Sequence, residues 1–245
     1  MQRSTEADST PPSIPGERVG LTVEQAIRGR QSIRAFLPTP VSRALIARII
    51  EIAGRAPSGT NIQPWKVYVM DGAVRDAVVA EMCHAYDTAE EPTRPYNYYP
   101  VKWRDPYISR RRACGWGLYG TMGITRDDKD GMKRQRRGNY ELFGAPVGLI
   151  FTLDKDLEIG SWLDMGMFLQ SIMVGARQFG LETCPQAALA NYHELLRKRL
   201  SIPDMEQVVC GMALGYADPD AKVNTFTPAR EPIEVFTTFV DKVGG

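Results

Sequence analysis

Histidine is almost missing from this chain: His84 and His193 are the only two in 245 residues. The four cysteines, Cys83, Cys114, Cys184 and Cys210, stand far apart and form no C-x-x-C pair. A zinc site needs those residue types at close, patterned spacing, so no metal centre is expected. The cysteines read as reduced structural thiols that pack as small hydrophobes. Nothing near Cys184 in sequence, beside Pro185, argues for a lowered thiol pKa and a redox role. A charge excess of one sign is also missing. Lys plus Arg is 30 against 29 for Asp plus Glu, a net charge of +1. That balance disfavours a dedicated nucleic-acid binder, which usually carries a marked basic excess. No apolar run reaches the ~20 residues of a membrane span, the best being Ala145 to Leu153. Residues 1–16 are polar, hold Pro11, Pro12 and Pro15, and lack an apolar signal core. They read as a flexible arm, taken as 1–20, on a cytoplasmic protein.

What is present suits a single large domain over 21–245, since 43% of the residues are apolar, enough for a core. Thr22 with Gln25 three residues later predicts a capping box and a short helix. Ser42 predicts the cap of a second helix to about Arg55, with Leu45, Ile46, Ile49, Ile50 and Ala53 on one buried face. Trp65 to Met70 alternates like a half-buried strand, with Trp65, Val67 and Val69 on one side. Asp71-Gly72 predicts a turn, then a helix to about Tyr86. Pro146 to Leu153 and Gln207 to Leu214 read as two further strands. Between Ser161, a cap-like start, and Gly180 lies a long helix apolar nearly all round, a pattern that asks for burial on several sides, a second subunit among them. Asn191 with Glu194 predicts the cap of another helix. Residues 87–138 form an aromatic and basic insert, irregular from Glu91 to Asp105 and helical around Ile108 to Gly123. Residues 217–245 form an extended tail whose end, Ile233 to Val243, reads as a strand. Without regular β-α-β alternation, a Rossmann fold is disfavoured and the class is α+β.

Two polar clusters carry the chemistry. Arg30, Ser32 and Arg34 alternate, so an extended backbone puts two guanidiniums and a hydroxyl on one side. That is either a phosphate site, because arginine offers forked charge-assisted donors, or a solvated basic edge. Asn61 and Gln63 share a side just before Pro64-Trp65. Their amides suit the hydroxyls or ring edge of a polar cofactor, or cap a turn of their own.

Taken together and in order, the basic triplet, Pro57-Ser58-Gly59-Thr60-Asn61-Ile62-Gln63-Pro64-Trp65, Gly180 to Gln186, Gly211 to Tyr216 and Arg230-Glu231-Pro232 resemble the FMN-dependent nitroreductase family. The likeness runs from about Leu21 to the tail. Within the family it is nearest the branch that reduces nitrobenzoates and related nitroaromatics, judged by Asn139 to Pro146 and the insert before it. The resemblance implies a central mixed or antiparallel sheet flanked by helices, in an intertwined homodimer with two FMN sites between subunits. It implies that Arg30, Ser32 and Arg34 meet the phosphate and ribityl chain, with Arg34 extending to the ring's O2 side. Pro57, Ser58 and Gly59 would come from the other subunit, with Asn61 a further polar contact beside them. Pro185, Gln186, Ala187 and Ala188 match the loop whose backbone amide faces flavin N5, and Arg230 matches a second phosphate arginine. Many relatives have glycine where Ala188 stands, and a methyl there alters how closely the backbone approaches N5.

The implied reaction passes a hydride from NADPH or NADH through the flavin to a nitroaromatic, giving nitroso and then hydroxylamine products. Water or the ribityl hydroxyl supplies the protons, so no side chain is nominated as a catalytic acid. The insert is the expected substrate mouth and part of the dimer wrap. Arg110, Arg111 or Arg112 either meets a substrate carboxylate or stays wet. Two rival readings keep the flavin: reductive dehalogenation or enone reduction on the same fold, and a non-catalytic flavin-binding dimer.

Overall fold

Capping places the first two helices where the sequence puts them. In the computed structural model, which describes residues 20–242 and residue 244, Thr22 Oγ1 accepts the Gln25 N–H at 3.2 Å. Gln25 Oε1 accepts the Thr22 N–H at 2.9 Å in return. This box opens α1 (Val23–Gly29). Ser42 Oγ accepts the Leu45 N–H at 3.2 Å and opens α2 (Arg43–Ala53), whose Leu45, Ile46, Ile49 and Ala53 are buried. The predicted arm lies outside the described residues except for Gly20.

Four strands make one antiparallel sheet: β1 (Lys66–Asp71), β2 (Val147–Asp154), β3 (Glu182–Gln186) and β4 (Glu206–Gly215), in the order β1-β2-β4-β3. β2 and β4 are central and buried, which is why they read as continuous apolar runs. β1 is an edge strand. Val69 is 42% exposed there, so Trp65 and Val67 pack inward without it. β3 is absent from the sequence reading. Its Pro185 cannot donate to a ladder, and prolines in sheets are confined to edges or bulges. β3 is such an edge, paired only with β4 among the named strands.

Helices cover both faces. The described residues also include α3 (Gly72–Asp87), α4 (Tyr107–Thr121), α5 (Lys129–Arg137), α6 (Ile159–Gln178), α7 (His193–Leu200) and α8 (Ile233–Phe236). On one face Met70, Met82, Leu142, Ile150 and Leu196 pack together. On the other, Ile49, Leu149, Phe151, Phe168 and Ile172 do so. Ile150 and its neighbours Leu149 and Phe151 thus point to opposite sides, as a pleated strand requires.

Several local expectations need correction. α6 begins at Ile159, and Ser161 is buried inside its first turn rather than capping it. Asn191 does not cap α7. It is 7% exposed, accepts from Arg94 Nε at 2.5 Å and donates to Tyr140 Oη at 2.8 Å. The tail end is no strand. Ile233–Phe236 is a helical turn behind Pro232, and the described residues after it are irregular. Gly115-Trp116-Gly117-Leu118-Tyr119-Gly120 has the glycine spacing of a dinucleotide-binding turn, which corrects the expectation that the chain holds no G-x-G-x-x-G. It lies within α4 and follows no strand, so it lacks the strand–turn–helix context that spacing needs. Gly117 admits the tail instead: a Cβ there would stand 2.6 Å from the Phe226 ring.

A polar network closes one end of the sheet. Glu206, 5% exposed, takes Lys66 Nζ at 3.2 Å, Tyr68 Oη at 2.9 Å and Thr152 Oγ1 at 2.5 Å. Burial, then the bond to Glu206, pushes the Tyr68 phenol up to about 12 from 10.0. A group whose folded pKa is raised contributes stability below its unfolded pKa and loses it as pH climbs through the folded one. Thermal stability will therefore fall between pH 10 and about 12, and Tyr68→Phe will flatten that part of the profile. A melting-temperature series across this range, run on both proteins, checks it; identical slopes would rule Tyr68 out.

Candidate functional site

The cationic strip begins where α1 ends. Arg30 leaves the helix in extended backbone at φ −67°, ψ 126°. Arg177, on α6, fixes that exit: its Nη1 donates to the Gly29 carbonyl and lies 3.4 Å from Glu182. A Cβ at Gly29 would stand 2.6 Å from Arg177 Nη2, so a larger residue would displace that guanidinium. Beyond it the strip lies along β3 as a short parallel bridge, Ser32 to Thr183, with the Ile33 N–H donating to the Thr183 carbonyl at 3.1 Å. Gln31 and Ile33 line a 690 Å³ cavity, and Arg34 lines a different one.

The tail secures the strip from outside, a role sequence reasoning missed. Asn224 Oδ1 accepts the Arg34 N–H at 2.8 Å and the Ala35 N–H at 3.2 Å, and its amide donates to the Ala35 carbonyl at 2.8 Å. Arg34 Nη1 donates to the Ser32 carbonyl at 3.1 Å. Further along, the tail brings Arg230 into electrostatic range of Arg30. Burial first, then the Arg230 charge, holds the Arg30 guanidinium below its ordinary pKa. Arg230 itself is exposed and donates to the Pro228 and Ala229 carbonyls, at 2.9 and 3.3 Å. A second guanidinium in electrostatic range of Arg30 suits an anion between them. Burial pushes the Cys184 thiol up to about 11 although Arg34 and Arg30 oppose it, so the thiol stays protonated and inert.

Pro185 and Gln186 finish β3, and Ala187 and Ala188 open the 3-10 turn Ala187–Asn191. Four residue steps, roughly 13 Å, separate Thr183 from Ala187, so strip and loop adjoin on one protomer. Thr183 Oγ1 and Gln186 Oε1 are buried polar atoms that find no hydrogen-bond partner among the described residues. The Gln186 amide donates to the Asn139 carbonyl at 2.7 Å. A 580 Å³ cavity opens beside Arg34, Gln135, Gly138 and Glu141. A second, of 390 Å³, is lined by Pro185, Gln186 and Ala187 together with Tyr96, Tyr98 and Trp162. Tyr96 meets Trp162 edge-on at 4.6 Å, so the insert's aromatic end does reach this loop. Its arginine triplet does not. Arg110 pairs with Glu231 at 2.8 Å, Arg111 lies over Tyr99 and Trp103 at 5.4 and 4.8 Å, and Arg112 is exposed.

The third cluster stands apart. Pro57, Gly59 and Asn61 are exposed and Ser58 is half-buried. Ser58 Oγ accepts the Gln63 N–H at 3.0 Å, and the Gln63 amide donates to the Asn61 carbonyl at 3.1 Å. The Gly59 N–H points at Asp164 on α6, 3.3 Å from each carboxylate oxygen. Arg177, which anchors the strip, is thirteen residues farther along the same helix, or about 20 Å. One protomer therefore gathers Arg30, Ser32, Arg34, Arg230 and Pro185 to Ala188, and leaves Pro57 to Asn61 at the far end of α6.

The nitroreductase family model matches residues 27–216. A 4-nitrobenzoate reductase of Pseudomonas putida is 42% identical over 217 residues, covering 89% of this chain and 95% of that protein. A chloronitrobenzene nitroreductase of Comamonas testosteroni is 40% identical over 219 residues, covering 89% and 96%. Among solved structures, the FMN- and NADPH-dependent nitroreductase NfnB of Sphigopyxis sp. strain HMH superimposes with a TM-score of 0.87 at 39% identity, covering 91% of this chain and all of that one. The family match and the two relatives span the strip, the turn and the β3 loop alike, and the chain belongs to the nitroreductase family.

Proposed function

We propose that this protein is an FMN-dependent NAD(P)H oxidoreductase that reduces nitroaromatic compounds, and that it works as a homodimer in the cytoplasm. The observation that carries the cofactor is the strip Arg30 to Arg34 laid along β3 by the Ser32–Thr183 bridge and held there by Asn224 of the tail. A phosphate monoester is the ligand that such a cationic strip fits. Arg30, Ser32, Arg34 and Arg230 would hold the phosphate and ribityl chain, and Pro185 to Ala188 would meet the ring. Bound FMN supplies hydride transfer, accepting from a reduced nicotinamide and delivering to a nitro group.

The protein's own part is placement and electrostatics. Arg34, held at its backbone by Asn224, offers positive charge beside the 580 Å³ cavity, where a reduced ring's negative charge is favoured. The aromatic walls of Tyr96, Tyr98 and Trp162 suit a planar ring and limit water beside the β3 loop. The free cysteines fit a reducing compartment.

A second subunit explains what α6 leaves uncovered. Ile159, Leu163 and Met167 are 81%, 70% and 39% exposed, and their spacing of four residues puts them on one stripe. The tail adds Phe236 and Phe239, 71% and 79% exposed. Two copies joined along α6 would bury that stripe and bring Pro57 to Asn61 of one to the strip of the other.

The test is direct. Purified protein should be yellow, elute as a dimer, release FMN on heating, and bleach anaerobically on adding NADPH or NADH. Colour should return with 4-nitrobenzoate or nitrobenzene and not with a halophenol. Protein that takes up no added FMN, or holds FMN that neither nicotinamide bleaches, would overturn the reading.

A further inference from the structure

Asp164 is a carboxylate 6% exposed. Among the described residues no cation pairs with it, and the Gly59 N–H, 3.3 Å from both oxygens, is its hydrogen-bond partner. Burying a charge against a single backbone donor is a costly way to pack a helix, and a leucine would serve folding better. The turn it touches is also costly. Thr60, Asn61 and Gln63 all take left-handed backbone, at φ 46°, 61° and 48°. Non-glycine residues stay there only where their surroundings over-determine them, and such strain gathers at ligand-binding sites. Inside the turn, Ser58 Oγ and the Gln63 amide supply part of that hold. From outside, α6 grips both ends, Gly59 through Asp164 and Trp65 by stacking on Phe168 at 4.7 Å.

The strip of the same protomer is about 20 Å away along α6, at the Arg177 end. We propose that Asp164 is a positioning residue for the cofactor site of the opposite subunit. Its carboxylate orders the turn Pro57 to Asn61 for the partner's FMN and does nothing for the FMN of its own chain. α6 is then a rigid strut shared by two sites: its Arg177 end sets the arginines of one and its Asp164 end sets the turn of the other. The proposal rests on the FMN-binding homodimer argued above.

The experiment reads FMN affinity by fluorescence quenching on apo-protein, beginning with wild type. Wild type that binds no FMN refutes the function and takes the proposal with it, whereas the outcomes below bear on the proposal alone. Given wild-type binding, Asp164→Leu should bind FMN about tenfold or more weakly, the loss expected of a charge-assisted hydrogen bond. Asp164→Asn, which keeps an acceptor oxygen, should regain most of it. Gly59→Pro removes the donor from the other side of the contact. Gly59 opens a 3-10 turn after extended Ser58 and its Cβ position meets nothing within 4 Å, so the change acts at the nitrogen alone: the proline ring carbon replaces the N–H and pushes the turn off Asp164. If Asp164→Leu fails to fold, Gly59→Pro decides.

The arrangement across subunits is then read from mixed dimers, purified with two different tags. One chain carries Asp164→Leu or Gly59→Pro, and the other carries Arg30→Ala with Arg34→Ala. If Asp164 acts across the interface, each mixed dimer holds one site built wholly from unmutated parts. It should bind one FMN with wild-type affinity, although both parent homodimers bind poorly. A merely structural role would not produce that recovery. Mixed dimers with no tight site, or a folded Asp164→Leu or Gly59→Pro homodimer within twofold of wild type, would overturn the proposal.

Discussion

Arg30→Ala will keep or slightly raise the melting temperature of the apo-protein while weakening FMN binding by ten- to a hundredfold. The two halves of this expectation have one cause. In the apo-protein the Arg30 charge is a burden, partly desolvated and pressed by Arg230. Removing it relieves both effects, and its loss uncovers no buried apolar partner, since the residue is only half-buried. With a phosphate in place the balance reverses, because each charge-assisted hydrogen bond contributes roughly 1.5–3 kcal/mol, tenfold or more in affinity. Arg230→Ala should behave alike, more mildly, since Arg230 is exposed and also donates to the Pro228 carbonyl. Differential scanning of apo-protein with FMN titration of the same samples separates the effects. An Arg30→Ala protein that melts well below wild type, or binds FMN normally, would show that the arginine is a structural residue.

This behaviour is what made the site partly readable in one dimension and partly not. Alternation of Arg30, Ser32 and Arg34 is a local property, and the segment that carries it runs extended out of α1 and bridges to β3. Caps are local too: Thr22 with Gln25 and Ser42 with Leu45 form as the residue types require. Asn191 shows where locality fails. It has a cap's chemistry and sits one residue before Tyr192, the residue that opens α7, but the buried Tyr140 hydroxyl and Arg94 compete for its amide and win. β3 fails for a related reason. Glu182-Thr183-Cys184-Pro185-Gln186 has neither alternation nor length, and it is a strand only because β4 and Ser32 flank it. The arginines of α4 drew attention by their density, but density does not fix direction, and they spend their charge on Glu231, Tyr99 and Trp103. Asn224, Asp164 and Arg177 carry no sequence signal at all. Each acts on a backbone group more than 100 residues distant, and only the folded chain brings them there.

Phe168→Ala will be the most destabilising single change at the α6 interface with the sheet, and its effect will extend to the turn. The ring is 1% exposed, stacks on Trp65 at 4.7 Å with planes 2° apart, and meets Phe151 edge-on at 6.3 Å. Truncating a buried phenylalanine costs about 3–5 kcal/mol in lost transfer energy and residual cavity. Against a total stability of ~5–15 kcal/mol that is a large share, and for a chain of this size it lowers the melting temperature by about 10 °C. Trp65 loses its stacking partner and follows directly on the Asn61 to Pro64 segment, so the turn loosens as well. FMN affinity should therefore fall in Phe168→Ala even at temperatures where the protein is fully folded. Phe168→Leu, which fills most of the space without a flat face for Trp65, should recover more of the melting temperature than of the FMN affinity. Melting curves and FMN titrations at 20 °C below the mutant's midpoint, roughly twice the expected shift, give both quantities. Loss of stability with wild-type FMN affinity would uncouple the α6 core from the turn. A shift of under about 2 °C would mean that the stack contributes little.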